Sequence, residues 1–232
     1  ERRRDFLDHG QVMTPRMPLV KPTGLLDLDG MAADEEKRSE TASADGRVRR
    51  GARNHEAIVQ AIYALIQETH LPPTVDDVAA RAGVGRRTVF RQFEDLDALY
   101  RSMGERVLRE ALGRVVLAAP SGILAADLAA LVERRGRIYE FVTPFRRASR
   151  LVRHESAFVR EQQTMMSMGF RAALLAVLEP ANADEDTFEA LDLLLSFEAW
   201  ERLRHQQSLS VERAQELLTR AALTLVTANE RR

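Results

Sequence analysis

Between Thr74 and Phe93 the chain reads TVDDVAARAGVGRRTVFRQF, and this stretch limits the fold more than any other. Its first half has the helical period, with Val78, Ala79 and Ala82 on one face. Thr74 carries a hydroxyl that can cap that helix, and Asp77 stands where a capping-box partner belongs. Gly83 stops the helix, Val84 is apolar, and Gly85 permits a sharp turn. A second helix is predicted over Arg86–Phe93, with Val89, Phe90 and Phe93 on or near its buried side. Helix, glycine-containing turn and helix at this spacing make a helix-turn-helix. The turn must be tight for the helices to cross steeply. Small Ala79 lets them approach, and Val84 fills the corner.

The rest of the chain supplies only helical patterns. Upstream, Asn54 can cap a helix whose Ile58, Ile62, Leu65 and Ile66 share a face, and Pro72 and Pro73 follow it. Downstream, a helix from about Asp95 to about Val116 has an inner stripe of Leu96, Leu99, Tyr100, Met103 and Val107. Beyond Pro120, helices are expected over about 122–139, 144–153, 155–178, 185–206 and 210–228. Pro144 suits a first turn, Pro180 a helix end and Ser210 a cap. Strand alternation is almost absent, so the expected fold is all-α. It comprises an N-terminal three-helix helix-turn-helix domain over 51–100 and a larger C-terminal helical bundle over 101–232. Residues 1–50 read as a largely disordered extension, polar and broken by Pro18, Pro22 and Gly24.

Charge says where chemistry sits. The chain has 34 Lys plus Arg against 35 Asp plus Glu, a formal net charge of -1, so a basic surface must be local. There is no cysteine, which removes disulfides, thiol catalysis and thiolate metal sites. From Arg81 to Phe93 there are four arginines and no acid. The helix over Arg86–Phe93 exposes Arg86, Arg87, Arg91 and Gln92, with Thr88 nearby. Arginines neutralise phosphates, and in the major groove Arg forks onto guanine and Gln onto adenine. Just ahead of the first helix, Arg47, Arg49, Arg50 and Arg53 lie among glycines. They form either a flexible basic arm for DNA or a solubilising linker.

The region resembles the DNA-binding domain of the TetR family of transcriptional regulators. The matching residues are Ile58, Ile62 and Leu65, then the Thr74-initiated helix with Val78-Ala79-x-x-Ala82-Gly83-Val84. Thr88-Val89-Phe90-x-x-Phe93 and then Leu96 and Leu99 complete the pattern, in order over roughly 54–103. Three positions depart from it. Gly85 stands where Ser or Thr is common, Phe90 where Tyr is common, and Glu94-Asp95 near a usual Lys. Phosphate contact therefore falls to Thr74, Arg87, Arg91 and the basic arm.

A single reading head covers few base pairs, so two heads on a two-fold axis are expected to read a palindrome. The last two helices are the interface candidates, through Leu191, Leu194, Leu195, Glu198 and Leu203 on one and Leu217, Leu218, Ala221, Ala222 and Leu225 on the other, unless both faces are monomer core. The resemblance implies that they form a four-helix dimer bundle, and it implies a small-molecule pocket inside the C-terminal bundle. Tyr139, Phe141, Phe158, Met165, Met166, Phe170, Phe197 and Trp200 are candidates for that pocket, though the same residue types build ordinary cores. His154 and Arg153 are possible polar contacts. A ligand-responsive repressor, with effector and operator coupled through the fourth helix, is the implied function.

Two other classes stay in view. A helical small-molecule-binding or protein-interaction module would show no salt-dependent DNA binding. An enzyme finds the least support. There is no HExxH, glycine-rich phosphate loop or GxSxG, and the five histidines lack metal-ligand spacing. No metal or cofactor is expected. No stretch suits a membrane span and the opening ERRRDFLDHG does not resemble a signal peptide, so the cytoplasm is the expected location.

Overall fold

The computed structural model describes residues 28–115, 119–154, 156–179 and 183–229, with side chains from Gly46 to Ala228. Its helices are α1 (Leu28–Thr69), α2 (Val75–Ala82), α3 (Arg86–Gln92), α4 (Leu96–Leu112), α5 (Leu124–Val152), α6 (Ala157–Leu178), α7 (Glu185–Leu194), α8 (Phe197–Glu201) and α9 (Val211–Asn229). A π-helical turn, Arg202–Gln206, extends α8. No strand occurs among the described residues. The chain divides into two compact units, residues 1–47 and 48–232.

In the first unit, α1 is helical from Leu28 onward. The expected disorder of residues 1–50 therefore does not extend over 28–50, and Asn54 does not start the helix. Ala32, Ala33, Glu35, Glu36, Lys37 and Arg38 are strong helix formers, and each interior glycine costs only about 1 kcal/mol. Residues 1–27 lie outside the described residues.

In the second unit, α1 buries Ile58, Val59, Ile62, Tyr63 and Ile66. It ends at His70, whose φ of 59° is left-handed, and whose N–H bonds the Ile66 carbonyl at 2.9 Å. The linking prolines then lead into α2. α4 runs from this head into the larger helical body, where it packs on α5 and α6. Its start is capped by Asp95, which accepts from the Ala98 N–H at 2.7 Å.

Two expected helix boundaries are corrected. Residues 122–139 and 144–153 belong to one helix, α5, with Pro144 inside it. A proline there removes one ladder bond, and burial outweighs the loss: Tyr139, Val142, Thr143, Phe145 and Ala148 all lie inside. Conversely, 185–206 is not one helix. Ser196 accepts from the Ala199 N–H at 3.2 Å and so starts α8 anew. The break leaves the Leu195 carbonyl outside the helix ladder, where it accepts from Arg135 Nη1 at 2.9 Å and Tyr139 OH at 3.0 Å.

The body's core centres on α5 against α9. From α9, Ala214, Leu218, Ala222 and Val226 turn inward at successive helical turns. Trp200 donates to Glu140 at 2.8 Å, and Arg204 bonds the same carboxylate at 2.8 and 3.1 Å. Burial pushes the Glu140 carboxyl up, but the Arg204 and Trp200 hydrogen bonds outweigh it and hold it below the ordinary 4.5. Gly136 lets α5 approach this cluster, since a Cβ there would stand 2.8 Å from Trp200 Cη2.

Candidate nucleic-acid interface

The helix-turn-helix is built locally. The Thr74 hydroxyl accepts from the Asp77 N–H at 3.2 Å, while Asp77 accepts from the Thr74 N–H at 3.0 Å and its hydroxyl at 2.6 Å. The Asp77 carboxyl is held below its ordinary value by those bonds. Thr74 is exposed, with its hydroxyl engaged in this capping box. Gly83 adopts φ 66°, ψ 31°, the left-handed conformation that glycine takes without strain. The Val84 N–H then closes the turn on the Ala79 carbonyl at 3.1 Å. Gly85 starts α3 with no side-chain cap, in ordinary extended geometry.

α3 buries Val89, and Phe93 follows it into the core, where it meets the His55 ring at 4.7 Å. Phe90 lies outside instead, 51% exposed, with the Arg86 guanidinium 5.7 Å from its ring centre. This corrects the expectation that Phe90 lies on or near the buried side. With Val89 turned fully inward, its neighbour on so short a helix points outward.

The four arginines are not equivalent. Arg81 forks onto Glu68 at 2.9 and 2.6 Å. Arg86 reaches Asp76 at 3.2 Å. Arg87 and Arg91 are exposed and engage no acid among the described residues. Thr88 is half-buried. Gln92 is also half-buried and turned toward α1, its amide 4.0 Å from where a Gly51 Cβ would stand. Arg47, Arg49, Arg50 and Arg53 are exposed, but on the continuous helix α1. A flexible arm is therefore corrected to a helical display of charge.

Two connections tie this head to the body. Tyr63 of α1 donates to Glu110 of α4 at 2.6 Å. Burial first, then that bond, pushes the Tyr63 phenol up to about 12. Two turns further on, just past the C-terminal end of α1, His70 Nδ1 stands 3.2 Å from Arg147 Nη1, and Arg147 bonds Glu201 of α8 at 3.0 Å.

Between α4, α5 and α6 lies a cavity of about 620 Å³, its walls mainly apolar and including Leu108, Leu131, Ile138, Phe158, Met165 and Phe170. A smaller cavity of about 150 Å³ adjoins Arg135, Tyr139, Arg146, Phe170 and Phe197. The expected pocket residues Tyr139, Phe158, Met165, Phe170 and Phe197 thus line cavities. Trp200 is instead buried beside Glu140, and Phe141 packs on Phe145 beneath the Arg114 guanidinium. His154 and Arg153 are exposed at the end of α5.

Met166, also expected there, lines both cavities, whereas Arg135 was missing from the expected set of pocket residues. Arg135 had a signal: it continues the stripe Leu128, Leu131, Val132 and precedes Tyr139 and Val142 at helical spacing. A charge on that face must be buried.

The interface candidates separate as well. Leu191, Leu195, Leu203, Leu218 and Ala222 are all buried within the chain, so none of them can meet a partner. Leu194 and Leu217 are half-buried, and Glu198 and Leu225 are exposed. Leu193, a neighbour not among the candidates, is 73% exposed. No helix among the described residues is long and apolar enough to cross a membrane, and no described cluster of three or more His, Asp or Glu could hold a metal.

These features define a class: an all-α chain with a helix-turn-helix at one end and a helical, cavity-bearing body at the other. A solved transcriptional regulator from Rhodococcus sp. Rha1 shares that fold, with a TM-score of 0.60 at 19% identity, over 75% of this chain and 96% of that one. The two chains therefore share one all-α fold. No protein-family profile and no curated protein matches it.

Proposed function

We propose that the chain is a DNA-binding transcriptional regulator of the TetR type, reading a palindromic operator as a homodimer and releasing it when a small molecule occupies the body. The observation that carries this reading is α3. It is short, stands at a tight glycine turn, and presents Arg87 and Arg91 outward with no acid among the described residues to neutralise them. Such charges serve phosphate contact. Arg50 and Arg53 on α1 are exposed as well, beside Gly51, which approaches Gln92 of α3.

Dimerisation follows from the small reach of one head. The supporting surface is the partly exposed set Leu193, Leu194, Leu217, Ala221 and Leu225 of α7 and α9. For the response to ligand, α4 is the supporting element. Its Leu108, Ala111 and Leu112 wall the large cavity, while Asp95 and Leu96 begin it beside α3. A ligand that displaces α4 changes the spacing of the two heads and so the affinity for DNA.

Selection of bound duplexes from a random pool, with mass measurement of the complex, tests the reading. A palindromic consensus carrying two protomers is the expected result. Recovery of no consensus, together with binding that ignores salt, refutes it in favour of a module that does not engage DNA.

A further inference from the structure

Arg135 is the least expected residue in the body. It is 3% exposed, in the middle of α5, where charge is costly to bury. Its hydrogen bonds run from Nη1 to the Leu195 carbonyl at 2.9 Å and from Nη2 to the Phe170 carbonyl at 2.6 Å. Neither partner carries charge. Asp192, which lines the same cavity, is bonded to Arg171 at 2.8 Å instead. The Arg135 Nε–H has no partner although it is buried. Burial leaves the guanidinium holding its proton less firmly than usual.

A second orphan lies on the same cavity. Arg146, about three turns further along the same face of α5, also has a buried Nε–H without a partner. Its Nη2 bonds Glu198 at 3.1 Å. The two buried guanidinium N–H groups without a partner among the described residues thus belong to residues lining one cavity of about 150 Å³. Buried donors are nearly always paired, so these two orphans mark a wall where guanidinium donors outnumber the acceptors that reach them. That cavity shares Arg135, Met166 and Phe170 with the apolar cavity of about 620 Å³. Polar and apolar compartments therefore meet.

We propose that the body binds an amphipathic small molecule whose oxyanion head, a carboxylate or phosphate, pairs with Arg135 while its apolar chain fills the cavity between α4, α5 and α6. This deepens, and rests on, the reading of the body as an effector domain. The head supplies the negative charge that Arg135 lacks, while Arg146 on the same wall is already paired with Glu198, which lines the cavity too. The chain occupies walls made by Leu131, Ile138, Phe158 and Met165. Met166 and Phe170 stand where the two parts join.

The test is calorimetric titration of the full chain, without DNA, using dodecanoate, dodecyl phosphate, dodecan-1-ol and dodecylamine below their aggregation thresholds. Either acid is expected to bind about tenfold or more tightly than the alcohol, since a charge-assisted bond is formed only with the acid. The tighter of the two acids identifies the head. Arg135→Met is expected to remove that preference while leaving alcohol binding within about twofold. Circular dichroism reports whether this variant folds. Should it not, the head-group series on the unaltered chain still decides, and Arg146→Met gives a second variant in which the preference is expected to shrink. Equal binding of acid and alcohol, preference for the amine, or binding of none of the probes overturns the proposal. A chain that selects duplexes but treats acid and alcohol alike sinks only this site. A chain that prefers the acid yet binds no duplex sinks only the DNA-binding reading.

Discussion

Replacing Arg87 and Arg91 together with alanine is the sharpest test of how the head meets DNA, because the structure says how many cations it has to spare. Of the four arginines between Arg81 and Phe93, Arg81 is forked on Glu68 at 2.9 and 2.6 Å and Arg86 is held by Asp76 at 3.2 Å. That leaves two per head, hence four in the proposed dimer. Each phosphate neutralised contributes about 0.9 to the slope of log affinity against log salt, so the double variant should lose about 3.6. Over a fourfold rise in salt, the wild-type chain should then lose about 150-fold more affinity than the variant does. Fluorescence anisotropy on a labelled duplex, read at several salt concentrations, measures both slopes. The charge-neutral pair Glu68→Gln with Arg81→Gln is the control and should leave the slope unaltered. A double variant that keeps the full slope, or a control that loses it, would show that the ion pairs do not decide which arginines reach phosphate.

Other perturbations probe the frame around the head. Gly136→Ala gains about 1 kcal/mol of helix propensity, but its Cβ would stand 2.8 Å from the rigid Trp200 ring. Overpacking costs about 1–3 kcal/mol and should win, lowering Tm by several degrees and shifting Trp200 emission; an unchanged or raised Tm would mean that Trp200 yields freely. Thr74→Ala removes the capping box and should cost about 1 kcal/mol in urea unfolding, with the slope m unchanged. Glu140 is held below its ordinary 4.5, so its stabilisation is present above that pH and is lost as pH falls through the lowered folded value. Melting curves from about pH 6 down to about pH 3 should therefore fall less steeply for Glu140→Gln than for the wild-type chain. Leu217→Glu, on the partly exposed face of α9, should shift the chain from dimer to monomer in light scattering, whereas a monomeric wild-type chain would remove the dimer from the account.

Much of the head could be read from residue order, because its determinants are local. Thr74 with Asp77, Gly83 at the turn and Asp95 before α4 each act within a few residues. Short-range signals misled where burial opposed them. Pro144 marks a boundary by its missing N–H, yet the buried faces on either side keep α5 continuous. Leu194, Leu195 and Ser196 prolong a helical pattern, yet the Ser196 cap and the bonds from Arg135 and Tyr139 hold the chain open. Phe90 reads as core by composition and lies outside because Val89 already fills that side.

The helical character of the chain, the tight turn and the clustered arginines belong to residue order, since propensity, capping and charge are properties of neighbours. Which arginines are already paired, which leucines face outward, and the burial of an unmatched Arg135 beside a cavity depend on contacts between segments far apart in the chain. Those contacts arise only when α5, α6, α8 and α9 come together, because desolvation and pairing are set by what surrounds a group in space and not by what precedes it in sequence.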